Sequence, residues 1–335
     1  MELPHVFEEY REAVERALQE VLARRRGPLY RLMEYQLGWV DEQGQPVPRA
    51  GGKRLRPLLC LSACAALGGD WRRALVPAAA VELVHNFSLI HDDIEDGSPV
   101  RHNRPTVWWL WGPAQAINAG DGMHALARLA LLHLGDEGWP VERVLGLVQV
   151  LDDAAVRLCE GQHQDLVFQE RLDVTLPQYL GMVRGKTGAL MACALELGAR
   201  VATDDTAAWR ACAEAGELLG TAFQVRDDIL DLWGAHDGGP PEAVAGDVLN
   251  KSKGFPLVLA LERASLQQKR ELGALYMKRV LEPPDVAQVL AALDALDARA
   301  ASQQAAEEYA RRALERLDDL PLTAEGRGHL EALAR

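Results

Sequence analysis

Two groups of aspartates in this chain share one spacing. They are Asp92, Asp93 and Asp96 in LIHDDIED, and Asp227, Asp228 and Asp231 in FQVRDDILD. Residues three or four apart lie on one face of a helix, so each group gathers its carboxylates. Like charges on one face destabilise a helix unless a cation neutralises them, and hard divalent cations take oxygen ligands. The pattern predicts that both groups bind Mg²⁺.

A diphosphate is the natural guest of two such clusters, because its oxygens and the carboxylates can share the metal. A polyanion also needs charged donors from the protein. The first cluster is flanked by basic residues: Lys53, Arg54 and Arg56 upstream, and Arg101, His102 and Arg104 downstream. We therefore predict that the clusters form facing walls of one diphosphate site.

Apolar spacing predicts the helices that carry these residues. Leu83, Phe87, Ile90 and Ile94 form one stripe before the first cluster. Further helices are predicted for residues 5–25, 56–67 and 141–169, after an N-cap at Thr175, and from Pro256 onward. Glycines around Lys186 and Thr187 predict a helix break there. No strand-like alternation is visible, so we predict an all-α bundle of about a dozen helices around a central cavity, with residues 1–335 as one domain.

Composition limits the class of protein. The chain has 335 residues, 48% hydrophobic content and a net charge of −13, which argues against a nucleic-acid partner. No apolar run approaches the ~18 residues of a membrane span, and the N-terminus lacks a signal-peptide pattern. Five cysteines without a CxxC pair predict buried thiols and a cytoplasmic protein.

An ordered set of motifs resembles the trans-isoprenyl diphosphate synthases, or polyprenyl synthetases. The motifs are GGKRLRP (51–57), LIHDDIED (89–96), RHNRPTVW (101–108), GQHQDL (161–166), KTGAL (186–190), FQVRDDILD (223–231) and GDVLNKSKGFP (246–256). One DDxxD motif alone is a weak signal, whereas this order along most of the chain is specific. The resemblance implies the isoprenoid synthase fold and a homodimer. It also implies Mg²⁺-dependent, head-to-tail condensation of isopentenyl diphosphate with an allylic diphosphate.

The resemblance also implies roles for individual residues. Isopentenyl diphosphate would be bound by Lys53, Arg56 and His85, and His102 would supply a further contact to its diphosphate. The allylic diphosphate and its ionisation would involve Arg101, Lys186, Thr187, Gln224 and Lys253, with Gln162 and Asp165 as supports and all six aspartates as metal ligands. The Gly/Pro-rich segment Gly234–Gly246 is a candidate lid.

Product length is predicted from the helix before Asp92. Residues four and five positions earlier lie ~6 to 7.5 Å deeper along the axis. These are Ser88 and Phe87, with Val84 one turn further. In the family, an aromatic at the fifth position resembles geranylgeranyl diphosphate synthases, so we expect a C20 product, with C15 farnesyl diphosphate as the alternative. Phe87 also lies on the apolar stripe and is compatible with a purely core role.

The chain departs from the family pattern in three places. His102 and Asn103 replace the usual Arg-Gly after Arg101, the usual Gly-Lys is absent from 238–246, and Ser252 stands at a usual lysine, leaving Lys251 or Lys253 to substitute.

Three other functions agree with parts of the sequence. A class I terpene cyclase would not need Lys53, Arg56 and His85, and an HD-type phosphohydrolase, suggested by His91-Asp92, would need more helical histidines. A non-catalytic partner subunit would be expected to have lost acids from one motif.

Overall fold

The structure, a computed structural model, describes residues 5–47, 52–171, 173–234, 252–276, 278 and 281–334. The chain divides into two compact units: Met1–Ala155, Cys193–Ala213 and Asp319–Arg335 form the first, and Val156–Ala192 and Glu214–Asp318 form the second. The described residues are mostly helical, and the all-α prediction is confirmed. The prediction of a single domain stays a prediction.

The helices follow the predicted boundaries closely. A 3₁₀ turn at Trp71–Ala74 leads into α4, and a π turn at Arg184–Gly188 separates α8 from α9 at the predicted break. In chain order the helices are α1 (Val6–Ala23), α2 (Pro28–Gln36), α3 (Leu55–Ala66), α4 (Leu75–Glu95), α5 (Val107–Trp111), α6 (Pro113–Leu132), α7 (Val141–Gln169), α8 (Leu176–Val183), α9 (Ala189–Ala202), α10 (Thr206–Trp233), α11 (Phe255–Arg263), α12 (Leu266–Tyr276), α13 (Pro283–Ala295), α14 (Ala298–Glu315) and α15 (Ala324–Ala334).

Helix α4 is the core helix of the first unit. Its early turns carry almost only apolar residues, and the helix as a whole packs mainly against α6, where Gly120 allows close approach near His91. The stretch Trp71–Glu95 is long and apolar enough to cross a membrane by length and composition, which the sequence reading missed. However, 72% of its most apolar window is buried inside the protein, as in the core helix of a globular fold.

The expectation of no strands was wrong at one place. Strands β1 (Val100–Arg101) and β2 (Arg104–Pro105) pair in an antiparallel hairpin around His102 and Asn103. These turn residues have φ of 50° and 59°, the left-handed values that a two-residue type I′ turn requires. Strands of two residues are too short to show alternation, so only the turn residue Asn103 hinted at the hairpin.

In the second unit, the start of α8 is fixed as predicted. Thr175 caps the helix in a capping box with Gln178, and Pro177 lies in its first turn. Helix α8 then packs against α11, and both contribute to an apolar cluster that includes Tyr179 and Phe255. The prediction of buried thiols holds for four cysteines and was wrong for Cys159, which is exposed.

Candidate active site

The first acidic motif lies at the C-terminal end of α4. The helix ends at Glu95 with Asp96 as its C-cap, so the motif occupies the last turn. Asp93 is buried, Asp92 is half-buried and Asp96 is exposed. The buried carboxylate accepts a hydrogen bond at 2.7 Å from Nε of Arg101, which β1 brings back toward the helix. Burial raises the pKa of Asp93, and the charge of Arg101 opposes that shift.

Positive side chains gather beside this motif. Burial, and then the charges of Arg56 and Arg101, hold the pKa of His85 well below its ordinary value of 6.5, so the imidazole is neutral near pH 7. Burial also lowers the pKa of Arg56, although Glu82 opposes the shift. Nε of Arg56 is buried and has no hydrogen-bond partner among the described residues. Since a buried guanidinium donor is normally paired, this arrangement suits an anion from outside the protein.

The remaining basic residues of the flanking motifs differ in exposure. Lys53 is exposed, as a substrate-binding lysine would be. Arg54 is buried in ion pairs with Glu15 and Glu82. The guanidinium of Arg104 lies 4.2 Å from the centre of the Tyr35 ring and donates to the carbonyl of Val40 at 2.8 Å. Arg54 and Arg104 therefore anchor the segments around the site.

Phe87 is buried, with 7% of its surface exposed. Its ring centre lies 4.9 Å from that of His124 on α6 and 5.5 Å from that of His91. The ring of His91 has room because α6 carries Gly120 opposite, where a Cβ would lie 2.3 Å from Nε2 of His91. Ser88 donates to the carbonyl of His85 at 2.8 Å, and Val84 is fully buried. The residues predicted to set product length thus lie on the α4 side that packs against α6.

The second acidic motif lies near the end of α10, and its middle aspartate accepts three hydrogen bonds from uncharged donors. Asp227 is exposed, Asp231 is half-buried and only 3% of Asp228 is exposed. One carboxylate oxygen of Asp228 accepts from Gln224 at 2.9 Å. The other accepts from the hydroxyl of Tyr179 at 2.5 Å and from the backbone amide of Phe255 at 2.6 Å. The sequence reasoning missed Tyr179, because a tyrosine on an apolar helix face carries no signal of its partner.

A hydrogen-bond chain joins the π turn to this motif. The hydroxyl of Thr187 donates at 2.7 Å to Gln224, the residue that also donates to Asp228. Beside it, the amine of Lys186 donates to Asp165 on α7 at 2.5 Å. Three residues predicted from two separate motifs, Lys186, Thr187 and Gln224, are therefore connected to carboxylates within the second unit. Gln162, the other predicted support on α7, is buried.

Glycines permit the close approach that this chain of contacts requires. A Cβ on Gly161 of α7 would lie 2.1 Å from the backbone nitrogen of Lys186. A Cβ on Gly185 would lie 2.8 Å from the carbonyl oxygen of Arg157. Helix α7 and the π turn therefore touch backbone to backbone, which brings Lys186 within reach of Asp165.

Lys253 is buried before the start of α11. Its amine donates to the carbonyl of Gln169 at 3.1 Å and lies 5.0 Å from the centre of the Tyr276 ring. Ser252 is half-buried. Lys251 and residues 235–246 of the predicted lid lie outside the described residues.

Comparison with known proteins agrees with this arrangement. The family model for polyprenyl synthetase matches residues 38–293. The chain is 37% identical over 303 residues to a geranylgeranyl diphosphate synthase of Mycobacterium tuberculosis, covering 90% of this chain and 85% of that protein. It is 41% identical to a (2E,6E)-farnesyl diphosphate synthase of Mycobacterium bovis, covering 68% of this chain and 61% of that relative.

Solved structures agree as well. The crystal structure of a polyprenyl synthetase from Streptomyces coelicolor superposes with a TM-score of 0.89 at 33% identity, covering 98% of this chain and 97% of the other. A geranylgeranyl pyrophosphate synthetase from Pyrococcus horikoshii gives a TM-score of 0.86 at 31% identity, covering 98% and 95%. With two aspartate-rich motifs, an isoprenoid synthase fold and a family match over most of its length, the chain belongs to the polyprenyl synthetase family of trans-prenyltransferases.

Proposed function

We propose that this protein condenses isopentenyl diphosphate with an allylic diphosphate, head to tail, and that its main product is all-trans geranylgeranyl diphosphate. The observation that carries the proposal is the group of Arg56, His85 and Arg101 beside the first acidic motif. A terpene cyclase, which takes one diphosphate, has no use for this second set of anion-binding residues.

The isopentenyl diphosphate is assigned to this positive group. The buried, unpartnered Nε–H of Arg56 offers a charged donor, and exposed Lys53 adds a mobile ammonium. His85 is neutral near pH 7 and therefore acts as a hydrogen-bond partner, while His102 stands in the hairpin turn where the family has arginine. Together these residues would hold the diphosphate so that the double bond of the substrate faces the allylic carbon.

The allylic diphosphate is assigned to the aspartate motifs together with Arg101, Lys186, Thr187, Gln224 and Lys253. As the C–O bond of this substrate breaks, Arg101 and Lys186 would stabilise the charge on the departing diphosphate. The double bond of isopentenyl diphosphate forms the new C–C bond, and the released diphosphate takes the proton that is then lost. For Lys253 to take part, its amine would have to leave the carbonyl of Gln169.

Mg²⁺ fits the donors that are present. Asp92 and Asp96 lie one turn apart at an open helix end, and Asp227 is exposed, so hard carboxylate oxygens are accessible. Within the described ranges no three acidic, histidine or cysteine side chains are already gathered around one metal position. Diphosphate oxygens and water would therefore complete the coordination, as Mg²⁺ prefers. The bound metal would supply positive charge that makes diphosphate a better leaving group.

The C20 assignment is supported by buried Phe87 on the α4 face toward α6, and by geranylgeranyl diphosphate synthases among the relatives. The C15 product is the second candidate, because farnesyl diphosphate synthases are equally similar. Separate incubations with Mg²⁺, isopentenyl diphosphate and either labelled farnesyl or labelled geranyl diphosphate test the C20 and C15 assignments. A labelled C20 product is expected, whereas turnover of geranyl but not farnesyl diphosphate would favour C15.

We also propose that the protein is a homodimer. Six large hydrophobic side chains of the first unit are exposed: Val100, Trp109, Ile117, Leu132, Val141 and Leu145. The apolar helix α3 does not offer such a surface, because most of its residues are buried. Light scattering at micromolar concentration tests the proposal, and a monomeric mass would contradict it. The cytoplasmic location stays a prediction.

A further inference from the structure

Arg54 is a buried arginine that lies in the sequence between two residues assigned to isopentenyl diphosphate, Lys53 and Arg56. Lys53 is exposed and Arg56 lies in the first turn of α3, but Arg54 between them is only 5% exposed. Its φ of 50° lies in the left-handed region, which is unfavourable for a residue with a side chain. Such a conformation persists only where the surrounding contacts impose it.

Those contacts come from three segments. Nε and Nη2 of Arg54 donate to the two carboxylate oxygens of Glu15 on α1, at 2.7 and 3.3 Å. Nη1 donates to Glu82 on α4 at 2.8 Å, and Nη2 also donates to the carbonyl of Leu37 after α2 at 2.9 Å. The guanidinium thus ties α1, α4 and the segment after α2 to the start of α3.

Both carboxylates of this network are held in turn. Trp39 donates to Glu15 at 2.7 Å, and Asn86 donates to Glu82 at 3.1 Å. Burial alone would lower the pKa of Arg54, but Glu82 and Glu15 reverse the shift and raise it, so the cation is permanent. The geometry is therefore fixed on every side of the guanidinium.

The network continues into the positive group of the site. Glu82 lies three residues before His85 on α4, on the neighbouring turn. The charge of Glu82 acts on Arg56 as well as on Arg54, and the charge of Arg54 acts on His85. A shift of Arg54 would therefore change both the backbone that carries Lys53 and Arg56 and the field around them.

We propose that Arg54 is a positioning residue for isopentenyl diphosphate: it fixes the left-handed turn that exposes Lys53 and aims Arg56 at the diphosphate. The inference rests on the proposed function and extends it to a residue that touches no substrate. It predicts a defect confined to one of the two substrates.

The test is Arg54→Lys, which keeps the charge but cannot reproduce the planar fork of hydrogen bonds. The KM for isopentenyl diphosphate should rise about tenfold or more, while the KM for the allylic substrate and kcat change by less than about threefold. If Arg54→Lys fails to fold, Glu15→Gln loosens the same guanidinium from one side only and should show the same split at smaller size.

Arg72→Lys is the matched control. Arg72, in the 3₁₀ turn before α4, also pairs with a glutamate of α1, Glu9, at 3.2 Å, but both side chains are largely exposed. It should leave both KM values unchanged. An equal rise of both KM values in the Arg54 and Glu15 variants, or an unchanged KM for isopentenyl diphosphate, would overturn the inference.

Failure of the proposed function would look different, since the wild type itself would form no product. Calorimetric binding of isopentenyl diphosphate to wild type and Arg54→Lys then decides the role of Arg54 separately. Weaker binding by the variant supports the inference, and equal affinity or no binding by either protein contradicts it.

Discussion

The two acidic motifs share one sequence pattern but are held by different chemistry. In both, the middle aspartate is buried and the last is more accessible. Asp93 accepts from a charged partner, Arg101, whereas the hydrogen bonds described for Asp228 come from the uncharged donors Tyr179, Gln224 and the amide of Phe255. A repeated motif therefore does not imply a repeated environment. At the first motif the donor that is also assigned to substrate is the cation Arg101, whereas at the second it is the neutral Gln224, and Tyr179 and Phe255 have no assigned role toward substrate.

The largest effects are expected when an open and a buried aspartate are each removed. Asp92→Ala and Asp228→Ala should each reduce turnover by several orders of magnitude, because each removes a carboxylate that we propose as a ligand of Mg²⁺. Only Asp228→Ala should also lose stability, by roughly 2–5 kcal/mol, since Tyr179 and the amide of Phe255 would be left buried without an acceptor. Steady-state kinetics measures the turnover, and urea unfolding measures the stability. Equal stability of the two variants would contradict the contrast.

Removing the donors instead of the aspartates sharpens the comparison. Arg101→Met leaves the Asp93 carboxylate buried without its charged partner, whereas Tyr179→Phe removes one of several neutral donors to Asp228. The first should cost more stability than the second, for which about 1 kcal/mol is typical. Turnover should fall far more for Arg101→Met. Urea unfolding of both variants measures these losses of stability. A larger loss for Tyr179→Phe than for Arg101→Met would contradict the prediction.

A third comparison uses the aromatic residues that precede each motif. Phe87→Ala should let the product grow by one or more five-carbon units at similar turnover, because the buried ring is removed from the α4 wall. Phe223→Ala is the control, since Phe223 precedes the second motif and is 40% exposed. Chromatography of the labelled products measures chain length. An unchanged product from Phe87→Ala would mean that Phe87 serves only the core.

The smallest expected effect is a pH dependence of the free energy of unfolding, caused by His85 beside the first motif. Above pH 6.5 the imidazole of His85 is neutral in both folded and unfolded chains. Below it, the unfolded chain takes up a proton that burial and Arg56 keep from the folded protein, so the free energy of unfolding falls. The loss is at most about 1.4 kcal/mol per pH unit. Urea unfolding of wild type and His85→Asn between pH 7 and 5 should show a shallower decline in the variant, and parallel curves would exclude His85 as the cause.

Much of this molecule follows from local sequence signals. The apolar stripe of α4, the cap at Thr175 and the glycines around Lys186 predicted elements that the structure contains, because helix periodicity, capping and glycine freedom act over a few residues. The side-chain contacts that could not be predicted depend on residues that are distant in the sequence. Arg54 and Arg101 look alike in the sequence, because each is a basic residue beside a motif. In the structure, Arg54 is buried in ion pairs with carboxylates, whereas Arg101 forms an ion pair with Asp93. Tyr179 was missed for the same reason.

The backbone contact between Gly161 and the π turn has a consequence for how this protein can change. Neither Gly161 nor Gly185 has room for a single methyl group, so each substitution alone would push α7 away from Lys186. Replacing either glycine alone would therefore disturb the contact between Lys186 and Asp165, so both positions are closed to any side chain while that contact is kept.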